Sequence, residues 1–446
     1  MDRLLLLMTT TTYRASAFLE AARRLEVPVV VGTDERQVLS AANPGGNLTL
    51  DFLNPEEATR TIVEFATQYP IRAVVAADDD GVILSAMASQ ALGLSSNSMD
   101  AARAARNKAR MREVLAEAGL PSPPVHRFPL EEVPENAARR VAYPCVLKPL
   151  FLAGSRGVIR ADDPAQFVAA FDRIAAILRR PDVAAQGGTL AQQILVEGFI
   201  PGVEVALEGL LVDGRLNLLA IFDKPDPLDG PFFEESIYVT PSRLPAATQE
   251  RIAACTQEAV KAVGLHEGPV HAELRLNEQG PWIIEIAPRS IGGLCSRTLR
   301  FGEGISLEEL ILRHAMGREV ESFEREELAA GVMMIPIPHA GILREVQGKE
   351  EAEKVPGIEE VRLTIPPGQE LIPLPEGTRY LGFIFARGGT PEHVETSLRD
   401  AHRRLTFIIT PPEVIWTEGS RVAEVERHAS PTGRARARHS VGARTT

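Results

Sequence analysis

The segment Gly268-Pro-Val-His-Ala-Glu-Leu-Arg-Leu-Asn-Glu-Gln-Gly-Pro-Trp-Ile-Ile-Glu-Ile-Ala-Pro-Arg289 reads as two strands joined by a turn around Asn277–Pro281. Opposed residues of an antiparallel hairpin share a constant index sum. A turn centred on Gln279 therefore sets Glu273 opposite Glu285. Two carboxylates facing each other repel unless a cation sits between them. Magnesium is the economical candidate, a hard ion held by one or two carboxylates and phosphate oxygens. Arg289 lies four residues past Glu285, within reach of the same pocket. A solvated hairpin with scattered charges fits the spacing equally well. His271-Ala272-Glu273 also matches the H-x-E of zinc deaminases, but no P-C-x-x-C follows it.

Before this segment the chain alternates apolar runs with helical periodicity. Leu4–Met8, Pro28–Gly32 and Ala73–Ala76 read as strands, the last followed by Asp78-Asp79-Asp80. Ala15–Leu25 and Pro55–Tyr69 read as helices. Continuous apolar strands between helices predict a doubly wound parallel sheet. No G-x-G-x-x-G follows the first strand, so a dinucleotide site is not expected there. The five-residue run Leu4–Met8 ends at Thr9, short of the roughly 7–15 apolar residues of a secretory segment and the ~20 of a membrane span. It reads as a buried strand of a cytoplasmic protein with no membrane partner.

The chain has 446 residues, 44% hydrophobic and 24% charged, a soluble globular composition long enough for about three compact units. The net charge of −12 argues against a nucleic-acid partner, which calls for a basic surface. Three scattered cysteines, Cys145, Cys255 and Cys295, exclude a disulfide framework and a Cys-based zinc site.

A second unit opens at Asn107, a plausible N-cap. Lys108 then falls in the first turn of a helix, where the macrodipole disfavours a lysine unless an anion is bound there; an exposed surface lysine is the other reading. Lys148 stands in the apolar strand Tyr143-Pro-Cys-Val-Leu-Lys-Pro149 and either points to solvent at an edge or answers an anion. The loop Gly154-Ser155-Arg156-Gly157 is small enough for backbone N–H groups to approach phosphate, though it is not a Walker A loop. Glu197-Gly-Phe-Ile-Pro-Gly-Val-Glu204 is a hinge with carboxylates at both ends. Each piece alone also reads as ordinary structure.

Taken in order, the helix-start lysine, the strand lysine before a glycine loop, the E-G-F-I-P-G-x-E hinge and E…E-I-A-P-R resemble the ATP-grasp superfamily over roughly 107–317. Within it the chain is most similar to carboxylate–amine ligases of the L-amino acid ligase type, which share the E-x-A-P-R ending and a C-terminal extension. The resemblance implies an N-terminal α/β domain (1–106), two ATP-grasp lobes (107–190 and 191–325) and a small C-terminal α+β domain (326–420); the end of the chain, with five arginines and no acid from Arg427 onward, reads from composition as a flexible basic tail (421–446). It assigns Lys108, Lys148, Ser155 and Gly157 to the phosphates of ATP. Glu197 and the backbone of Phe199 and Ile200 go to adenine, and Glu204 to ribose. Glu273 and Glu285 go to magnesium, or manganese in its place. Arg289 is expected to be the catalytic residue, facing the acyl phosphate or a carboxylate with its fork of donors. Gly292, Gly293 and Lys224 are expected to meet small carboxylate and amine substrates. Many relatives carry Asn two residues after the second metal Glu, and here that place is Ala287, which leaves the number of ions open. The C-terminal unit is expected to wall the pocket or form a homodimer contact. A carboxylating enzyme like biotin carboxylase and a non-catalytic nucleotide sensor are the rival readings.

Overall fold

Leu4, Leu5, Leu6 and Leu7 are all fully buried, which requires cover on both faces of their strand and so a parallel sheet. The computed structural model describes residues 2–35 and 46–411, and the reading of 421–446 as a flexible tail lies outside them. Strands β1 (Arg3–Leu7), β2 (Val29–Thr33), β3 (Asn47–Thr49) and β4 (Ile71–Ala76) pair in parallel in the order β3-β2-β1-β4. Helix Pro55–Gln68 starts where Asn54 accepts the Glu57 N–H and proline fills the first turn. Sheet growth reverses at β1, so the carboxyl ends of β1 and β4 flank a crevice, the usual place for a ligand in such sheets.

Lobe A is a four-stranded antiparallel sheet, β5 (Val125–Pro129), β6 (Cys145–Pro149), β7 (Ile159–Ala161) and β8 (Gln193–Gly198), in the order β5-β8-β6-β7. Helix Pro164–Leu178 covers it with Phe167, Phe171 and Ile174. Because β8 pairs with both β5 and β6, the sheet of lobe A extends to Gly198. The expected division at 190/191 cuts through that sheet, and the lobes meet instead at the hinge 199–202.

Lobe B begins with β9 (Val203–Val212) and β10 (Arg215–Asp223). The two residues between them, Asp213 and Gly214, both have positive φ, the primed turn that matches strand twist. Next come β11 (Ile237–Thr240), β12 (Gly268–Asn277) and β13 (Gly280–Ala287), a short pair β14 (Arg300–Phe301) and β15 (Ile305–Ser306), then β16 (Ala329–Ile335), β17 (Gly341–Gln347), β18 (Ile358–Leu363), β19 (Glu370–Leu371), β20 (Gly382–Gly388) and β21 (Thr406–Thr410). Eight of these form one sheet, β13-β12-β9-β10-β11-β16-β20-β18, and β19-β17-β21 a second. The C-terminal domain is therefore not a freestanding unit, since β16 continues the sheet of lobe B through β11.

One apolar core joins the N-terminal domain, lobe B and the C-terminal domain, from Leu4 and Phe18 through Phe222 to Met334 and Phe383. Lobe A has its own core around Phe128, Leu147, Phe167 and Val196. Two bodies thus meet at the hinge, with a cavity of about 510 Å³ at their junction. Among the described residues no helix is long and apolar enough to cross a membrane.

Candidate active site

Glu273 pairs with Glu285 across β12 and β13, as the spacing predicts. The route to that register differs from the expected one. The turn is two residues, with Asn277 opposite Gly280 and Leu274 opposite Ile283, and a bulge at Ile284 then restores the facing pair. Arg112 satisfies the bulge, donating to the carbonyls of Ile283 (3.0 Å) and Ile284 (2.7 Å). Both acids line the cavity, and each already holds a cation. Lys108 Nζ lies 3.1 Å from Glu285 Oε1, and Lys224 Nζ lies 3.3 Å from Glu273 Oε1.

Lys108 opens helix Lys108–Glu117, whose first turn is capped by the Asn107 side chain. Its ammonium also donates to the Leu152 carbonyl at 2.9 Å, just before the glycine loop. Lys148 is buried and donates to Glu197 Oε2 at 2.7 Å. Burial pulls its pKa down, against the raising effect of Glu197. Glu197 is itself buried and takes Arg112 on both oxygens, at 2.7 and 3.3 Å. Burial alone would raise its pKa, but Arg112 and Lys148 win and hold it at about 2. With both oxygens occupied, Glu197 orients Lys148 and is not a free reader of an adenine edge. The backbone of Phe199 and Ile200 is also engaged: the Phe199 N–H donates to the Pro144 carbonyl, and the Ile200 carbonyl accepts from Arg275. Both residues still line the cavity.

Glu204 accepts Lys224 at 2.8 Å and Arg275 at 2.9 Å. Lys224 is enclosed by Glu204, Glu235 (2.6 Å) and Glu273, three carboxylates close enough together to share one ion. Burial opposes its charge, but the three acids hold its pKa well above the ordinary value. The ammonium lies behind the cavity wall, so the expectation that Lys224 meets substrate gives way to a role in holding these acids. Glu235 itself has its pKa lifted to about 7 by burial, against the pull of Lys224.

Arg289 donates through Nε and Nη2 to Asp79 Oδ2, at 3.1 and 3.0 Å. Asp79 lies at the carboxyl end of β4, and Arg106 takes its other oxygen at 3.0 Å. Burial would raise the Asp79 pKa, but the two guanidiniums keep it well below the carboxylate range. Arg14, after β1, binds the carbonyl and hydroxyl of Ser290. Buried His271 is bonded to Glu208, whose other oxygen accepts the Ile291 N–H at 3.0 Å. These contacts fix the chain at Gly292 and Gly293, which line the cavity with Tyr13, Tyr238, Tyr380 and Met334. Gly292 has open space where a Cβ would be, whereas a Cβ on Gly293 would meet the Phe383 ring at 3.1 Å.

The cavity thus brings together Lys108, Lys148, Ser155, Glu197, Phe199, Ile200, Glu204, Glu273, Glu285, Arg289, Gly292 and Gly293. Gly157 stands outside that set. Its φ of +71° and a Cβ position 2.8 Å from Pro149 Cγ demand glycine, and its N–H donates to the Pro375 carbonyl at 2.9 Å. Sequence reasoning assigned no role to Arg112, Asp79, Arg14, Glu208 or Glu235. The local signals were the spacing of Arg112 four residues after Lys108, on the same helix face, and the acidic run Asp78-Asp79-Asp80.

An α/β domain, a two-lobed nucleotide-scale cavity and paired acids beside lysines define an ATP-grasp protein. The ATP-grasp N-terminal domain matches residues 19–95, the ATP-grasp domain 141–298 and the L-amino acid ligase C-terminal domain 2 333–410. The chain thus carries an ATP-grasp core together with the second C-terminal domain found in L-amino acid ligases. It is 27% identical to alanine–anticapsin ligase of Bacillus subtilis (strain 168) over 58% of this chain and 56% of that one, so it spans about half the length of that relative. It is 28% identical to dapdiamide A synthase of Enterobacter agglomerans over 69% of this chain and 73% of that one. The crystal structure of L-amino acid ligase from Bacillus licheniformis superposes with a TM-score of 0.77 at 27% identity, covering 92% of this chain and 99% of that one.

Proposed function

We propose that this protein joins a carboxylate to an amine at the expense of ATP, through an acyl phosphate, releasing ADP and phosphate. A substrate carboxylate oxygen attacks the γ-phosphorus, and the bond to ADP breaks. The amine then attacks the acyl carbon and phosphate leaves. The observation that carries this reading is the facing pair Glu273 and Glu285 in one cavity with Lys108, Lys148 and Arg289. Phosphoryl transfer needs charge offset more than covalent chemistry from the protein.

Lys108 and Lys148 are placed to neutralise phosphate oxygens, and Ser155 lies on the loop facing them. Glu204 and the hinge residues Phe199 and Ile200 border the space for the nucleoside. Arg289, held by Asp79, presents its fork to the acyl phosphate or its parent carboxylate. Glu235 lines the same cavity, and burial raises its carboxyl pKa, which suits it to accept the proton that the amine loses. The donor set suits magnesium, since Glu273 and Glu285 are cavity-facing oxygen donors and both already hold ammonium groups. Those two residues would hold the ion, which when bound supplies Lewis-acid charge neutralisation at the phosphates.

A screen of amino acids and other carboxylates, with phosphate release and mass detection of the product, tests the proposal. Phosphate release that requires both an acid and an amine, with a product heavier by their sum less water, supports it. Release that depends on bicarbonate alone, or ATP binding with no release for any pair, overturns it.

A further inference from the structure

The C-terminal domain grips lobe A beside the cavity, at the glycine loop. Within that loop Gly154, Ser155 and Gly157 all have positive φ, and its own backbone bonds are two turn contacts, Val158 N–H to the Ser155 carbonyl at 3.1 Å and Arg156 N–H to the Ala153 carbonyl at 3.4 Å. The remaining bonds come from outside. The Gly157 N–H donates to the Pro375 carbonyl at 2.9 Å, and Arg156 Nε donates to the Glu376 carbonyl at 3.1 Å. The Glu376 carboxylate in turn accepts both arms of Arg173, at 2.6 and 2.9 Å, from helix Pro164–Leu178 of lobe A. Two residues on, Thr378 lines the same cavity as Ser155.

Lobe A has its own core and meets the rest of the chain at a hinge, so these bonds tie together two separately packed bodies. We propose that Arg173 and Glu376 are positioning residues, a bidentate latch that sets the two carbonyls of 375–376 against the glycine loop and keeps the closed cavity dry. This rests on the ligase reading. In an open cavity, water replaces the amine at the acyl carbon, returning the carboxylate and phosphate, so ATP is spent without an amide. The latch therefore governs the ratio of phosphate released to amide formed.

Charge reversal tests it in the 446-residue chain. Arg173→Glu and Glu376→Arg each are expected to raise phosphate released per amide by about fivefold or more. The double swap, which restores an opposite-charge pair, returns the ratio toward that of the parent. A second readout is independent of ligase activity. Trypsin cleavage after Arg156, followed by mass spectrometry without nucleotide, accelerates in each single variant and slows again in the swap. Glu376→Gln, a milder change, gives an intermediate value if either reversal fails to fold. Unchanged cleavage and an unchanged ratio in the folded single variants overturn the latch. If no acid–amine pair yields an amide, the ligase reading fails, and the cleavage series alone decides whether the latch exists.

Discussion

Arg112 Nε lies 2.7 Å from Glu197 Oε1, and neither side chain is more than 4% exposed. This buried pair ties helix Lys108–Glu117, whose Met111 and Leu115 pack against lobe B, to the lobe A strand that ends at the hinge, and Arg112 also satisfies the two bulge carbonyls of β13. One guanidinium therefore links Lys148, through Glu197, to the hairpin that bears Glu285. Arg112→Met strands a buried carboxylate beside one lysine and leaves the bulge carbonyls unpaired. Its expected cost is about 3–5 kcal/mol, read by chemical denaturation. A loss well under 1 kcal/mol would show that the network bears no structural weight.

The acid limb of stability follows from Glu197. Its pKa of about 2 is depressed from an ordinary 4.5. A depressed carboxylate stabilises the fold above its unfolded pKa, and that contribution is lost as pH falls from about 4.5 to about 2. The full amount is on the order of 3 kcal/mol. Thermal melts across this window are expected to fall steeply for the parent and less steeply for Glu197→Gln, which has no proton to take up there. Parallel slopes in the two proteins contradict the assignment.

Asp79 holds Arg289 from across the domain boundary. Asp79→Asn leaves the guanidinium in place chemically but loosens its aim. Misplacement by about 1 Å costs on the order of 100-fold in rate. The expected signature is a lower kcat for amide formation with the KM for ATP nearly unchanged. An equal rise in the KM for ATP would move Asp79 from aiming Arg289 to shaping the nucleotide site.

The loop glycine at 157 makes a purely steric prediction. Gly157→Ala combines an unfavourable φ with contact on Pro149. Lobe A is expected to lose about 1 kcal/mol or more, and the KM for ATP to rise. A variant with parental stability and affinity would mean that the loop tolerates other conformations.

Much of the site was legible because its chemistry sits in short, ordered stretches. The facing acids, the two lysines and Arg289 are each marked by a residue type out of place in its element. The bulge at Ile284 shows the limit: the facing pair was predicted from a turn one residue too long, and a compensating irregularity made the pairing correct. Lys224 was placed at the substrate because the sequence does not reveal that three distant acids enclose it. Asp79 was visible within Asp78-Asp79-Asp80, but only the crevice between β1 and β4 brings it to Arg289. The domain limits failed for a related reason. Strands β8 and β16 join sheets through partners far away in sequence, and local patterning carries no information on that.

In the proposed reaction Glu273 and Glu285 together hold the ion that readies ATP for attack. Magnesium titration of phosphate release, with an acid and an amine present, tests it most directly in the parent and in Glu273→Gln and Glu285→Gln. Each variant is expected to need far more magnesium, with turnover reduced at least 100-fold at a fixed physiological level. Parental turnover and an unshifted magnesium midpoint in either variant would contradict it.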